Sequence, residues 1–258
     1  MKKKKVALVL SGGAALGFAH IGVIKVLEKY GIPIDIVVGT SMGGLVAAAY
    51  SVGLTTDEMT EFACKFKNIH FVDVNFDSSG IFSGKGMMRN INKFIPDIKI
   101  EELNKKFACV AFDLITEKEY VFKTGKLRDA VRSTISIPAF FTPHKLGKMV
   151  LVDGGISNNM PEAVARDLGA DIIISCDVLH HCRLQKPPEG LVNTIMATMN
   201  AVTRLSQESK EKIGDIVLTP NTSGIGQMSF SKKTALRAIE EGEKETEKRI
   251  KEIKKLFE

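Results

Sequence analysis

The chain has no apolar run approaching the roughly 20 residues that a membrane-spanning helix requires, which excludes a helical span within it. Its four cysteines, Cys64, Cys109, Cys176 and Cys182, form no CxxC pair and no zinc-ligand spacing. Cys176, His180, His181 and Cys182 are the one grouping that could gather a metal, but no second CxxC or HxxxH completes a ligand set. A buried strand cysteine followed by a polar loop is the simpler reading, with reduced thiols in a cytoplasmic chain. Gly80 to Gly86 ends in Ser83-Gly84-Lys85-Gly86, yet it lacks the Walker spacing and a Ser or Thr after the lysine, so a turn beside the site is expected there. There is no internal repeat, low-complexity linker or convincing domain boundary, and residues 1–258 read as one domain. The start, Met1-Lys2-Lys3-Lys4-Lys5 and then Val6 to Leu10, mimics a signal peptide, but Ser11-Gly12-Gly13 breaks the apolar run at once.

What is present suits a single α/β domain: 258 residues, 44% hydrophobic and 26% charged, allow one sizeable core. The formal charge of +6 attracts nucleic acid and anionic lipid alike, but the lysines are scattered over what reads as a solvated face. No nucleic-acid partner is expected.

Val6 to Leu10 reads as a buried strand ending in glycines, and Gly17 to Tyr30 has a helical period stopped by Gly31 and Pro33. Ile34 to Val38 is a second strand, and alanine-rich Leu45 to Val52 a helix able to pack close to a sheet. This βαβ rhythm predicts parallel strands with right-handed crossovers. Thr55-Thr56-Asp57-Glu58 is a capping box, and Phe71 to Phe82 reads as irregular. Phe107 to Phe112 and Glu119 to Lys123 form a plausible hairpin. Ile172 to Ser175 and Ile216 to Leu218 are further short strands, separated by a helix from about Leu191 to Lys210. A charged helix over 232–257 closes the chain, with Glu240–Lys244 and Glu247–Lys251 pairs.

The chemistry centres on Gly39-Thr40-Ser41-Met42-Gly43, between a strand and a helix. A nucleophilic serine needs a sharp turn that lifts its hydroxyl clear, and the helix start behind it favours developing negative charge. Ser11 to Gly17, between the first strand and its helix, can present bare main-chain N–H groups. Alone, that loop also fits a dinucleotide fingerprint, with Asp35 near the spacing of a ribose-binding carboxylate. Ala14, where that fingerprint needs glycine, and a second elbow after the next strand favour one shared site. A histidine triad in hydrolase order fits badly, since only His180 and His181 follow the later glycine turn. Asp153, in Val150-Leu151-Val152-Asp153-Gly154-Gly155, is delivered by a strand to a glycine turn and is the better base; a turn or helix cap is the alternative. His20 reads as a packed helix histidine.

Ser11 to Val23, Gly39 to Gly44, Ser136-Ile137-Pro138, and Leu151 to Gly155 with Asn158 and Pro161 following, resemble the patatin-like phospholipase family, above all its small bacterial members. The resemblance covers roughly Val6 to Val178. It implies a three-layer α/β/α fold with a mostly parallel sheet, and a Ser41–Asp153 dyad. It also implies an oxyanion hole from the main-chain N–H groups of Gly12, Gly13 and Ala14, and hydrolysis of acyl esters of lipids without metal or cofactor. Two departures stand out. Leu16 replaces the family's basic residue, and Ala14 replaces its third glycine, where a methyl is tolerable if φ stays negative. A catalytically silent lipid-binding protein of the same fold and a dinucleotide-binding oxidoreductase remain the alternatives.

Phe62, Phe66, Phe71, Phe76, Phe82, Met87, Met88 and Phe94 alternate with Lys65, Lys67, Lys85, Arg89 and Lys93. This composition suits either an ordinary core or peripheral contact with an anionic membrane.

Overall fold

Val6–Leu10 (β1) and Ile36–Thr40 (β2) are buried along their whole length, as strands covered on both faces must be. The computed structural model describes residues 4–71, 73, 80–184, 186–209, 211 and 213–258. In chain order β1 leads through a 3₁₀ turn (Ala14–Phe18) into α1 (Ala19–Lys29), followed by β2, α2 (Met42–Val52), α3 (Thr56–Lys65) and α4 (Lys85–Ile91). Then come β3 (Lys106–Asp113), β4 (Lys118–Phe122), α5 (Leu127–Thr134), β5 (His144–Leu146) and β6 (Met149–Asp153). The remainder is α6 (Glu162–Asp167), β7 (Ile172–Cys176), α7 (Gly190–Glu208), β8 (Ile216–Leu218) and α8 (Lys232–Lys255).

Among the described residues these strands form one eight-stranded sheet in the order β5-β6-β3-β2-β1-β7-β8, with β4 against β3. Pairing is parallel from β3 through β8, and antiparallel where β4, β5 and β6 join. Alternate side chains serve two cores. Leu8, Leu10, Val37 and Cys109 face the side that carries α1, α2, α5 and α8. Ala7, Val9, Val38 and Val110 face Val164 and Ala165 of α6. This is a three-layer α/β/α fold.

The register around β3 positions the site. β4 lies opposite Cys109 to Asp113 and takes up one edge of β3 there. The other edge is shared by β2, which reaches Thr40 opposite Val110, and by β6, which runs the other way to Asp153 opposite Ala111. Two strands thus end head to head on one edge.

Several boundaries differ from those read in the sequence. Residues before Ala19 wind as a 3₁₀ turn, with Leu16 donating its N–H to Gly13, so α1 starts two positions late. β2 is shifted by two residues, because Asp35 is held at its start by Val6 through both backbone and carboxylate. Helix α2 starts at Met42 rather than Leu45, since the turn at Ser41 leads straight into it. The capping box forms, with the Glu58 N–H on Thr55 Oγ1 and the Thr55 N–H on Glu58 Oε2. On α8, Lys244 meets Glu240 at 2.7 Å, but Glu247 reaches across to Lys29 and the Tyr30 hydroxyl of α1 rather than to Lys251. Helices α8 and α1 touch at backbone distance. A Cβ on Gly22 would lie 2.0 Å from the Ile239 carbonyl oxygen, and one on Gly242 2.0 Å from that of Ala19.

Candidate active site

Ser41 occupies the turn between β2 and α2 with φ 55 and ψ −126, a strained conformation for a residue with a side chain. The turn is crowded, for a Cβ on Gly43 would sit 2.2 Å from the Leu10 carbonyl oxygen. The Ser41 N–H donates to Thr134 Oγ1 (2.8 Å), whose hydroxyl donates to the Val110 carbonyl (2.6 Å). Helix α5 thereby ties the elbow to β3 and supports its strained backbone.

Asp153 closes β6 directly beside it. Its Oδ2 accepts the Ser41 hydroxyl, its Oδ1 accepts the Gly155 N–H (2.8 Å), and its own N–H donates to the Ser136 carbonyl (2.9 Å). Both side chains are buried, at 6% exposure for Ser41 and 3% for Asp153. Burial raises the Asp153 carboxyl to about 6, against the pull of the Ser41 and Gly155 hydrogen bonds. Such a carboxyl is ionised at neutral pH yet more basic than a free aspartate, as a proton acceptor for serine needs to be. Among the described residues neither Ser41 nor Asp153 contacts a histidine. His20 is fully buried in α1 with Nε2 2.8 Å from the Ser11 carbonyl oxygen, and burial lowers it to about 4, so it is neutral at pH 7.

In the loop after β1, the Gly12 N–H faces Asn159, with Oδ1 at 3.1 Å and the carbonyl oxygen at 3.3 Å. The Asn159 side-chain amide donates back to the Gly12 carbonyl (3.3 Å). Ala15 donates to the Gln227 carbonyl (3.0 Å). Among the described residues no acceptor faces the N–H groups of Gly13 and Ala14. Gly12 thus holds the loop in place. Ala14 has φ 49, so the negative φ that would make its methyl easy to accommodate is not found. Leu16 is fully buried in the core on the α8 side, where a charged side chain would lack water.

Ser41 lies between two unlike spaces. One, of about 30 Å³, is lined by apolar side chains including Ile135, Ile137, Phe141, Met228 and Phe230, with Ser41 the sole polar contributor. The other, also of about 30 Å³, runs under α7 and is lined by Asn159, Asn200, Thr203 and Gln227 as well as Ser41 and Asp153. Thr203 fixes α7 there by donating to the Gly155 carbonyl (2.7 Å).

Three contributors escaped the sequence reading. Thr134 and Asn159 lie next to quoted stretches, at Ser136 and Asn158, and adjacency was their only signal. Arg132 had none. Its guanidinium bonds Ser136 Oγ and the Ser83 and Thr142 carbonyls (3.0 and 2.8 Å), and burial lowers it to about 10. Through Arg132 the Ser83–Gly86 turn reaches Ser136, which in turn holds the Asp153 backbone.

The other readings find different places. Asp35 sits at the start of β2, at the end of the sheet opposite the glycine loop, and bonds the Val6 N–H (3.0 Å), out of reach of a ribose held there. Cys176 is buried within β7, and Cys182 Sγ lies 3.3 Å from the Thr222 hydroxyl. Among the described residues no three His, Cys, Asp or Glu side chains gather as metal ligands. Of the phenylalanine-rich stretch, Phe66 and Met87 are buried, and Phe62 packs edge-on against Phe94 at 4.7 Å. Phe76 lies outside the described residues. Among the described residues no helix is long and apolar enough to cross a membrane.

A parallel α/β sheet with a strand-end serine elbow, a buried aspartate and a glycine loop defines an architecture seen in known proteins. The family model "Patatin-like phospholipase" matches residues 8–166, and the chain belongs to that family. It is 35% identical over 182 residues to the human patatin-like phospholipase domain-containing protein 6, covering 67% of this chain and 13% of that protein. An uncharacterised NTE family protein of Mycobacterium tuberculosis is 32% identical over 174 residues, covering 66% of this chain and 48% of the relative. The chain thus spans half or less of these curated relatives. The crystal structure of VipD from Legionella pneumophila shares the fold, with a TM-score of 0.52 at 15% identity, over 96% of this chain and 67% of that one.

Proposed function

We propose that the chain is one catalytic unit, a serine acyl hydrolase that cleaves carboxylic esters of lipids through Ser41 and Asp153. The observation that carries this reading is the Ser41 hydroxyl donating to a buried aspartate of raised basicity, beside two unpaired amides. Asp153 takes the hydroxyl proton as Oγ bonds to the ester carbonyl carbon, and the charge moves to the carbonyl oxygen. The Gly13 and Ala14 N–H groups receive that oxyanion, with Gly12 holding their loop through Asn159. Collapse expels the alcohol, which takes the proton from Asp153 and leaves an acyl-serine. Water then adds with Asp153 as base, and the second collapse releases the acid and returns the proton to Ser41. Every proton and electron pair is accounted for without metal or cofactor.

The two spaces suggest how the substrate lies: acyl chain among the apolar side chains, alcohol portion among Asn159, Asn200, Thr203 and Gln227. Contact with an anionic lipid surface is assigned to the outer face of α7, not to the phenylalanine-rich stretch. Residues 190–203 carry no charge, and Leu191, Val202 and Leu205 are 72%, 42% and 67% exposed. Lys186 and Glu189 lie just before the helix, Arg204 turns back to the Cys182 carbonyl, and the inner side of the helix lines the polar space. Hydrolysis of a short-chain p-nitrophenyl ester tests the core of the reading. Ser41→Ala is expected to remove it while excess chelator leaves it intact, and activity surviving in Ser41→Ala would refute the assignment.

A further inference from the structure

The apolar space beside Ser41 is one of two. A second, of about 30 Å³, lies on the far side of α2 residues Met42 and Leu45 from the first and is lined by Phe18, Leu54, Met59, Phe62 and Phe94, with no polar side chain in its wall. The two share Met42, Leu45 and Ile91. Met42 and Leu45 are three apart on one face of α2, and Ile91 meets them from the end of α4. All three are buried, Ile91 to 1% exposure, so they form a packed partition between a lobe that contains the nucleophile and one that does not. Both lobes offer only apolar contact, which holds a hydrocarbon chain without fixing its orientation and rewards it in proportion to buried length.

We propose that this partition is a gauge of acyl-chain length and that Ile91 is its adjustable member, an inference that rests on the acyl-hydrolase reading above. A chain that ends within the first lobe displaces only the side chains that line that lobe. A longer one must displace Ile91 to enter the second lobe. Met42 and Leu45 belong to the helix that carries Ser41, whereas Ile91 sits on a separate seven-residue helix and can change without moving the nucleophile.

The test is kcat/KM for a series of saturated p-nitrophenyl esters from acetate to palmitate. In the wild-type protein each added methylene is expected to raise kcat/KM about fourfold while the chain lies in the first lobe, and then to stop doing so. Ile91→Ala should raise the ratio of long- to mid-chain kcat/KM at least tenfold, and the milder Ile91→Val should move it a smaller amount the same way. Adding Leu54→Phe, which fills the second lobe, should cancel the gain. A uniform change at all lengths, or a gain that survives Leu54→Phe, would overturn the gauge while hydrolysis through Ser41 stands. If the wild-type protein hydrolyses none of the esters, the acyl-hydrolase reading falls, and the gauge with it.

Discussion

The Ser41 hydroxyl and the Asp153 carboxylate meet because β2 and β6 run toward each other along one edge of β3 and stop at adjacent positions, opposite Val110 and Ala111. A serine and an aspartate 112 positions apart in the chain are held in contact by backbone pairing rather than by flexible loops. The pair is therefore set before substrate arrives, as positioned proton transfer requires.

The first consequence concerns Asp153→Asn, which keeps size and hydrogen-bonding capacity but cannot take a proton at neutral pH. Turnover is expected to fall about 10² to 10⁴-fold, while each single histidine replacement retains turnover within roughly an order of magnitude. The carboxyl is also harder to ionise folded than unfolded, so below about pH 4 it is neutral in both states and costs nothing. Above about pH 6 it is ionised in both, and the folded state bears the burial cost. Asp153→Asn should therefore stabilise the protein at pH 8 by up to about 3 kcal/mol and have little effect at pH 4. Thermal melts at the two pH values provide the check, and a large destabilisation at pH 8 would contradict the description of the carboxyl.

The same carboxyl shapes the pH profile of the reaction. With Asp153 as base, log kcat/KM should rise with unit slope on the acid side, level off above about pH 6, and show no limb near the ordinary aspartate range. In His20→Asn the limb should stay where it is, since His20, lowered to about 4, is already neutral at the pH where Asp153 titrates.

Asn159 holds the Gly12 peptide by both its N–H and its carbonyl. Asn159→Ala removes both side-chain partners, leaving the Gly12 carbonyl unpaired in a buried place and the N–H with only the longer contact to the main-chain carbonyl at position 159, which should cost about 1 to 3 kcal/mol in a denaturation experiment. Kinetically it should lower kcat more than it alters KM, because Gly13 and Ala14 meet the oxygen fully only once charge has developed on it. An increase in KM at unchanged kcat would show that Asn159 acts through its contact with the alcohol portion of the substrate and not through the Gly12 loop.

Much of this fold could be read from sequence where hydrophobic period and glycine punctuation coincide. β1, the β3–β4 hairpin, the Thr55 capping box and α8 came from local patterns, and the Ser41 elbow from a strand, two glycines and an alanine-rich helix. Less local features were harder. The buried face of α5 is Leu127, Ala130, Val131 and Thr134, a helical spacing diluted by small and polar residues, although Thr134 supports the elbow. The positive φ of Ala14 has no local signal in the sequence, and the loop around it is held by hydrogen bonds of Gly12 to Asn159 and of Ala15 to Gln227. The phenylalanines between Phe62 and Ile95 read more readily as core than as surface, and three-dimensional packing buries Phe66 and sets Phe62 against Phe94.

The outer face of α7 should bind anionic vesicles in co-sedimentation, weakening as salt is raised. Leu191→Asp combined with Leu205→Asp should cut that binding at least fivefold without altering hydrolysis of a dispersed short-chain ester. Binding unchanged by the double substitution, or equal on neutral vesicles, would remove the lipid-surface role from α7.

The most direct test of the serine–aspartate account is covalent labelling with a fluorophosphonate, read by peptide mass. The expected result is a single adduct on the Ser41 peptide, absent in Ser41→Ala and slowed at least a hundredfold in Asp153→Asn. An adduct on another residue at a comparable rate, or labelling of Ser41 unaffected by loss of the Asp153 carboxylate, would contradict it.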